Sequence, residues 1–177
     1  GRLPLIIDGG ICARGVESTV ISVLEDTPVL LRPGFVTKEE MEYVLQKPIL
    51  VSSAIVDKLP EGEQPRSPGM KYKHYAPVAK TVIFEGEAQQ VVAAICARYD
   101  AAEAAGERVA ILGFDEHDFG TRNRISLGHA SCPQEAAARL FGALRELDER
   151  GETLALCEAV DMAGIGLSGM NRMGRAA

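Results

Sequence analysis

Short apolar runs separated by turn residues mark the first part of the chain as β-rich. β-branched and apolar side chains dominate residues 19–24 and again residues 29–32, and a Glu-Asp-Thr-Pro turn cluster separates the two runs. This spacing predicts an antiparallel hairpin. Further strands are predicted at residues 5–8, before Gly9-Gly10, and at residues 49–51.

A helix is predicted directly after the hairpin. Thr37 stands three residues before Glu40, the spacing of a capping box at a helix start. Met41, Val44 and Leu45 then fall on one helical face, and Pro48 ends the pattern.

From residue 78 onward, strand-like and helix-like patterns alternate. Ser131 is predicted as the cap of the second helix in this part, with Gln134 completing a capping box. The last residues, 164–177, have room for a short helix. Alternation of this length predicts an α/β domain with parallel strands, of Rossmann-like or flavodoxin-like type. The predicted strands lie at 81–84, 109–112 and 154–160, and the predicted helices at 88–105 and 131–151.

Residues 60–77 join the two patterned parts. This stretch has four prolines and two glycines and shows no apolar period, which predicts an extended linker. It also places two tyrosines, one histidine and two lysines, side chains that can bind a ligand, in the stretch Lys71-Tyr72-Lys73-His74-Tyr75. The predicted organisation is therefore residues 1–59, a linker at 60–77, and an α/β domain at 78–177.

Composition narrows the function classes. The chain has 177 residues, 46% of them hydrophobic, and a formal net charge of −6. An acidic chain is a poor general binder of nucleic acid, because that affinity rests on Lys and Arg neutralising phosphates. No apolar run approaches the roughly 20 residues that span a bilayer. Four widely spaced cysteines favour reduced thiols in a cytoplasmic protein over disulfides or a zinc site.

Three clusters carry candidate chemistry. Gly15 to Val20 places Ser18 and Thr19 at a strand entry, where hydroxyl and backbone N–H groups hold carboxylates or phosphates; the alternative is a simple turn with Ser18 solvated. Arg32 ends the returning strand, which leads back towards the strand that carries Ser18, and its planar fork suits the same anions; the alternative is a surface arginine at a strand end. The linker tyrosines either close over a ligand or only pack the linker onto the protein.

Two weaker signals are set aside. Gly164-Ile165-Gly166 with Gly169 approximates a dinucleotide fingerprint, but the required strand–turn–helix context is absent. Residues 115–118 are acidic and contain a histidine, yet they are adjacent rather than spaced to converge on a metal.

Together these clusters resemble a known family. Asp8-Gly9-Gly10, Gly15 to Val20 and Leu31-Arg32-Pro33-Gly34 look like the C-terminal part of a YrdC-like catalytic domain. Residues 67–77, SPGMKYKHYAP, resemble the interdomain linker of long-form threonylcarbamoyl-AMP synthases, and Gly164 to Arg172 resembles the end of their C-terminal domain. The linker is the most specific part of the match.

The resemblance implies a reaction. L-threonine, bicarbonate and ATP with Mg²⁺ give threonylcarbamoyl-AMP and pyrophosphate, with no prosthetic group. Other proteins then transfer the threonylcarbamoyl group to tRNA, forming threonylcarbamoyladenosine (t6A), so direct tRNA binding by this chain is expected to be weak or absent. By the resemblance, Ser18 contacts threonine, and Arg32 and a linker tyrosine contact ATP. Tyr75 is the first choice and Tyr72 the second, and the further contacts expected around the lid are Thr19, Lys71 and His74.

The family's basic triphosphate site precedes the matched region, so the resemblance implies a partial YrdC-like domain, an extended linker and a small α/β domain. We therefore expect this chain to be inactive by itself. The main alternative is a non-catalytic α/β module that regulates or binds a partner. An RNA-binding module is a third possibility, disfavoured by the net charge.

Overall fold

A computed structural model describes residues 3–7, 9–10, 15–56 and 76–176. Their strands form two sheets. The first, here called the small sheet, contains three strands and carries two helices. Its elements are β1 (Val20–Ser22), β2 (Val29–Arg32), α1 (Lys38–Leu45), β3 (Leu50–Val51) and α2 (Ser53–Val56).

The predicted hairpin is confirmed. β1 and β2 pair antiparallel, with Ile21 opposite Leu30, and β3 joins the other side of β2 in parallel. The β2–β3 crossover contains α1, whose capping box is also as predicted. The Thr37 amide donates to Glu40 Oε2 at 2.8 Å, and the Glu40 amide donates to Thr37 Oγ1 at 3.2 Å.

One expectation for this part is wrong. Residues 5–7 form no strand and are exposed, because no described strand offers them a hydrogen-bonding partner; Asp8 lies outside the described residues. The apolar face of α1 is largely exposed. Val44 is 77% exposed, since no described element packs over it, and Met41 alone of the three apolar residues packs on the small core.

The second sheet, here called the large sheet, contains four parallel strands in the order β4-β7-β5-β6. This arrangement confirms the predicted α/β class. The order of the strands was not predicted from the sequence. β6 was missed because three residues carry too little pattern. The elements are β4 (Lys80–Phe84), α3 (Ala88–Ala104), β5 (Val109–Gly113), β6 (Arg124–Ser126), α4 (Pro133–Arg150), β7 (Leu154–Glu158) and α5 (Gly166–Ala176).

Helices cover both faces of the large sheet. Side chains of successive strand residues point to opposite faces, so Leu154 and Leu156 pack against α3 while Ala155 and Cys157 pack against α4 and α5. All four are fully buried. Each fully buried Leu contributes about 1.5–3 kcal/mol relative to an exposed one, so these two layers hold the large sheet together.

The helix ends follow local chemistry. At the C-terminal end of α3, Gly106 adopts φ +81° and its amide donates to Glu103 O, while the Glu107 amide donates to Ala102 O. This is the glycine cap that the sequence predicted. The predicted Ser131 cap of α4 is wrong. The helix begins at Pro133, and Cys132 is the cap residue without a side-chain hydrogen bond, because a residue before proline avoids helical backbone angles.

Candidate functional site

The returning strand brings Arg32 onto Ser18, as the sequence analysis proposed. Arg32 Nε donates to Ser18 O at 3.1 Å, and Arg32 Nη2 donates to Ser18 Oγ at 3.0 Å. The two residues that were predicted to contact threonine and ATP are therefore hydrogen-bonded to each other. A hydroxyl held beside a guanidinium is a suitable receptor for a carboxylate or phosphate.

The loop before β1, residues 15–19, is held by the turn after β2. The Phe35 amide donates to Glu17 O at 3.1 Å, and Thr19 Oγ1 donates to Val36 O at 2.6 Å. Gly34 lies so close that a Cβ there would stand 2.5 Å from the carbonyl carbon of Ser18 and closer still to neighbouring backbone atoms. The Thr19 hydroxyl thus contributes to the loop's shape, and only glycine permits this approach.

Two residues of the site were missed by the sequence analysis. Glu17 Oε2 lies 3.5 Å from Arg32 Nη1 and also forms an ion pair with Arg172 Nη2 of α5. Arg172 is 5% exposed, and it lies so far from Glu17 in the sequence that no local pattern indicates the pairing. A buried cation needs a compensating charge, and only the fold shows that Glu17 provides it.

The linker residues Tyr72, Tyr75, Lys71 and His74 lie outside the described residues. The first described residue after them is Ala76, which lines a cleft of about 950 Å³ together with Val16, Glu17 and part of α4. The C-terminal end of the linker therefore enters the structure beside the Gly15–Thr19 loop.

A second polar group lies at the carboxyl ends of β5 and β7. Buried Glu158 accepts from the Phe114 amide at 2.7 Å and contacts His117 Nδ1 at 2.5 Å. The adjoining pocket of about 300 Å³ is lined by residues 115–120 with Arg122 and Arg124. Among the described residues, no group of three or more His, Cys, Asp or Glu side chains converges as metal ligands.

Ion pairs shift several side-chain pKa values in the large-sheet region. A hydrogen bond from the His129 ring to the Glu135 carboxylate raises the pKa of His129, and the same contact lowers the pKa of Glu135. The Arg122 guanidinium lowers the pKa of Asp100 through a bidentate contact. His129 and Asp100 are exposed, and ion pairs to exposed groups contribute little to stability.

Comparison with known proteins decides the family. A family model described as threonylcarbamoyl-AMP synthase, C-terminal domain, matches residues 36–177. The chain belongs to this family. The resemblance identified from the linker and loop motifs is thereby confirmed.

Named relatives of this family match along almost the whole chain. The threonylcarbamoyl-AMP synthase of Bacillus subtilis is 40% identical over 100% of this chain and 49% of its own length. That of Pyrococcus abyssi is 38% identical over 99% of this chain and 50% of its own length. The chain thus spans about half the length of the curated relatives it matches.

Solved structures of the P. abyssi protein, Sua5, agree with the fold. Its complex with L-threonine has a TM-score of 0.84 at 38% identity, covering 96% of this chain and 48% of that one. A variant with an adjacent His and Tyr replaced by Ala has a TM-score of 0.84 at 36% identity, covering 96% and 47%.

Within the part of the chain that the structure describes, no helix is long and apolar enough to cross a bilayer. Cys96, Cys132 and Cys157 are free thiols, whereas Cys12 lies outside the described residues.

Proposed function

We propose that this chain contributes to threonylcarbamoyl-AMP synthesis, in which L-threonine, bicarbonate and MgATP are converted to threonylcarbamoyl-AMP and pyrophosphate. The observation that carries the proposal is the Arg32–Ser18 pair within a loop of the family's fold. The P. abyssi relative, which was solved with L-threonine bound, shares that fold. The product would serve proteins that form t6A on tRNA.

We assign Ser18 to the threonine and Arg32 to the nucleotide. Threonine presents a carboxylate, an ammonium and a hydroxyl, and a serine hydroxyl both donates and accepts hydrogen bonds. Arg32 supplies a permanent positive charge, which stabilises phosphate oxygens during adenylate formation. Mg²⁺ would enter with ATP as part of the substrate.

Tyr75, with Tyr72 as second choice, is proposed to close over the nucleotide, and Lys71 and His74 to contact the site from the same segment. Two observations support this assignment. Ala76 lines the cleft that also contains Glu17, and His74-Tyr75 is the chain's one adjacent His-Tyr pair. A closing segment excludes water, which protects an unstable carbamate intermediate.

The domain assignment follows from this proposal: residues 1–59 form part of the catalytic domain, 60–77 the lid and 78–177 a C-terminal domain. We propose that catalysis needs further basic residues from the remainder of such an enzyme. In the described site, Arg32 and Arg172 both contact Glu17, whereas a triphosphate carries several negative charges.

Calorimetric titration with L-threonine tests the site. Ser18→Ala removes the hydroxyl and is expected to weaken binding about 5- to 30-fold, the value of one lost polar contact. Ser131→Ala, at an exposed serine near α4, is the matched control and should bind as the unaltered chain does. Equal affinity of both variants would remove Ser18 from the threonine site.

Pyrophosphate release tests the reaction. With ATP, threonine and bicarbonate present, the chain alone is expected to release none above background. Adding the part of the B. subtilis relative that this chain does not match should produce release that depends on all three substrates. Substrate-dependent release by the chain alone would contradict the need for further basic residues.

A further inference from the structure

We infer that Arg172 is a positioning residue that sets the charge and shape of the loop carrying Ser18, so that the C-terminal helix α5 is part of the substrate site. This inference rests on the proposed function for the identity of the ligand. Its structural basis is a contact that joins the two sheets: Arg172 of α5 forms an ion pair with Glu17, the residue before Ser18.

Helix α5 is well placed to act on the loop because it is anchored on both sides. Met173 is fully buried and Met170 nearly so in the core beneath the large sheet. From the same helix, Ser168 Oγ donates to Pro33 O at 3.4 Å, and Asn171 Nδ2 donates to Ile55 O at 2.8 Å. The helix therefore presents Arg172 to the small sheet from a fixed position.

Helix α4 restrains the same loop at its other end. Gly15 has φ +60°, and a Cβ there would collide with the backbone of Ala138. The loop is thus pressed against α4 at Gly15 and paired with α5 at Glu17. Both contacts come from the large-sheet side, so that part of the chain helps to shape the loop that carries Ser18.

Charge explains why the pairing matters. Glu17 lies between two guanidinium groups, and its Oε2 contacts both Arg172 and Arg32. The Glu17 carboxylate and the two guanidinium groups together carry a net charge of +1. Without Arg172, the charges of Glu17 and Arg32 would sum to zero beside Ser18. An anionic ligand would then be held less well.

The decisive experiment compares two substitutions of Arg172 with a rescue. Arg172→Met removes the charge and should weaken L-threonine and MgATP binding about 10- to 100-fold, the range for a lost charged contact. Arg172→Lys should retain part of the affinity. Adding Glu17→Gln to Arg172→Met removes the carboxylate that would neutralise Arg32, so affinity should recover. A merely structural role predicts no such recovery, and its absence would overturn the inference.

Hydrogen exchange provides a readout that needs no ligand. In Arg172→Met, exchange of residues 15–22 should rise at least tenfold, while β5 remains protected. Asn171→Ala is the matched control, since it removes an α5 contact to the small sheet but not the one to Glu17. Unchanged exchange in Arg172→Met, or an equal rise in Asn171→Ala, would overturn the inference. If exchange responds as expected but the unaltered chain binds neither ligand, the proposed function fails and the positioning role stands.

Discussion

Replacing Gly34 by Ala tests whether close backbone packing shapes the candidate site. The added Cβ would stand 2.5 Å from the carbonyl carbon of Ser18, whereas two carbons make favourable contact at about 3.5–4.0 Å. The loop must therefore retreat by roughly 1 Å. The obstructing atoms belong to the backbone, so no side-chain rotation relieves the collision.

This displacement has two consequences of known scale. The Arg32–Ser18 hydrogen bonds, at 3.0 and 3.1 Å, would lengthen to about 4 Å, beyond hydrogen-bonding distance. A shift of this size in a binding group costs about 100-fold in function. Overpacking also destabilises by about 1–3 kcal/mol, which lowers the melting temperature of a chain this long by about 2–12 °C.

Calorimetry with L-threonine, thermal denaturation and hydrogen exchange of residues 15–22 measure these effects. Gly142→Ala in α4 is the matched control, because no heavy atom outside its own helix backbone lies within 4 Å of the added Cβ. It should stabilise the helix by about 0.5–1 kcal/mol. If Gly34→Ala keeps the melting temperature, the exchange pattern and the affinity of the unaltered chain, the packing argument is wrong.

Three further predictions concern the large-sheet region. Burial raises the pKa of the Cys157 thiol to about 12, so this thiol should resist alkylation at pH 8 in the native protein and react after unfolding. Mass spectrometry measures the labelling, and labelling of Cys157 in the native protein would contradict its burial. Glu135→Gln should lower the pKa of His129 towards its ordinary 6.5, as measured by NMR titration. Because the pKa of His129 is raised in the folded protein, the stabilisation from His129 is fully present below about pH 6.5 and disappears as pH rises through the folded value. If the pKa of His129 is the same in Glu135→Gln as in the unaltered protein, the ion pair is excluded. Leu156→Ala should cost about 2–5 kcal/mol in chemical denaturation, since Leu156 is fully buried between two strands, and a loss below 1 kcal/mol would contradict that packing.

Local chemistry was enough to predict most of the elements. The capping box at Thr37, the glycine end of α3 and the turn between β1 and β2 depend on residues within a few positions of each other. The α/β class followed from the alternation of apolar periods. Where a local signal was ambiguous, as at Ser131 and Pro133, the backbone restriction imposed by proline prevailed over the apparent cap.

The candidate site was only partly visible in the sequence. Ser18 and Arg32 were expected to meet because a hairpin returns the chain upon itself. The pairing of Glu17 with Arg172, by contrast, depends on how α5 packs between the two sheets. Local sequence patterns do not reveal contacts between segments that are far apart in the chain. Exposure of the α1 face likewise depends on whether another element covers it.

The sequence by itself therefore determined most of the secondary structure, the α/β class and two members of the candidate site, because propensity, capping and turn formation act over short distances. The tertiary structure alone decided the strand order of the large sheet, the contact of α4 with Gly15 and the shared carboxylate of Glu17. These features depend on burial and charge compensation between segments far apart in the chain, which exist only after the two sheets and α5 have packed together.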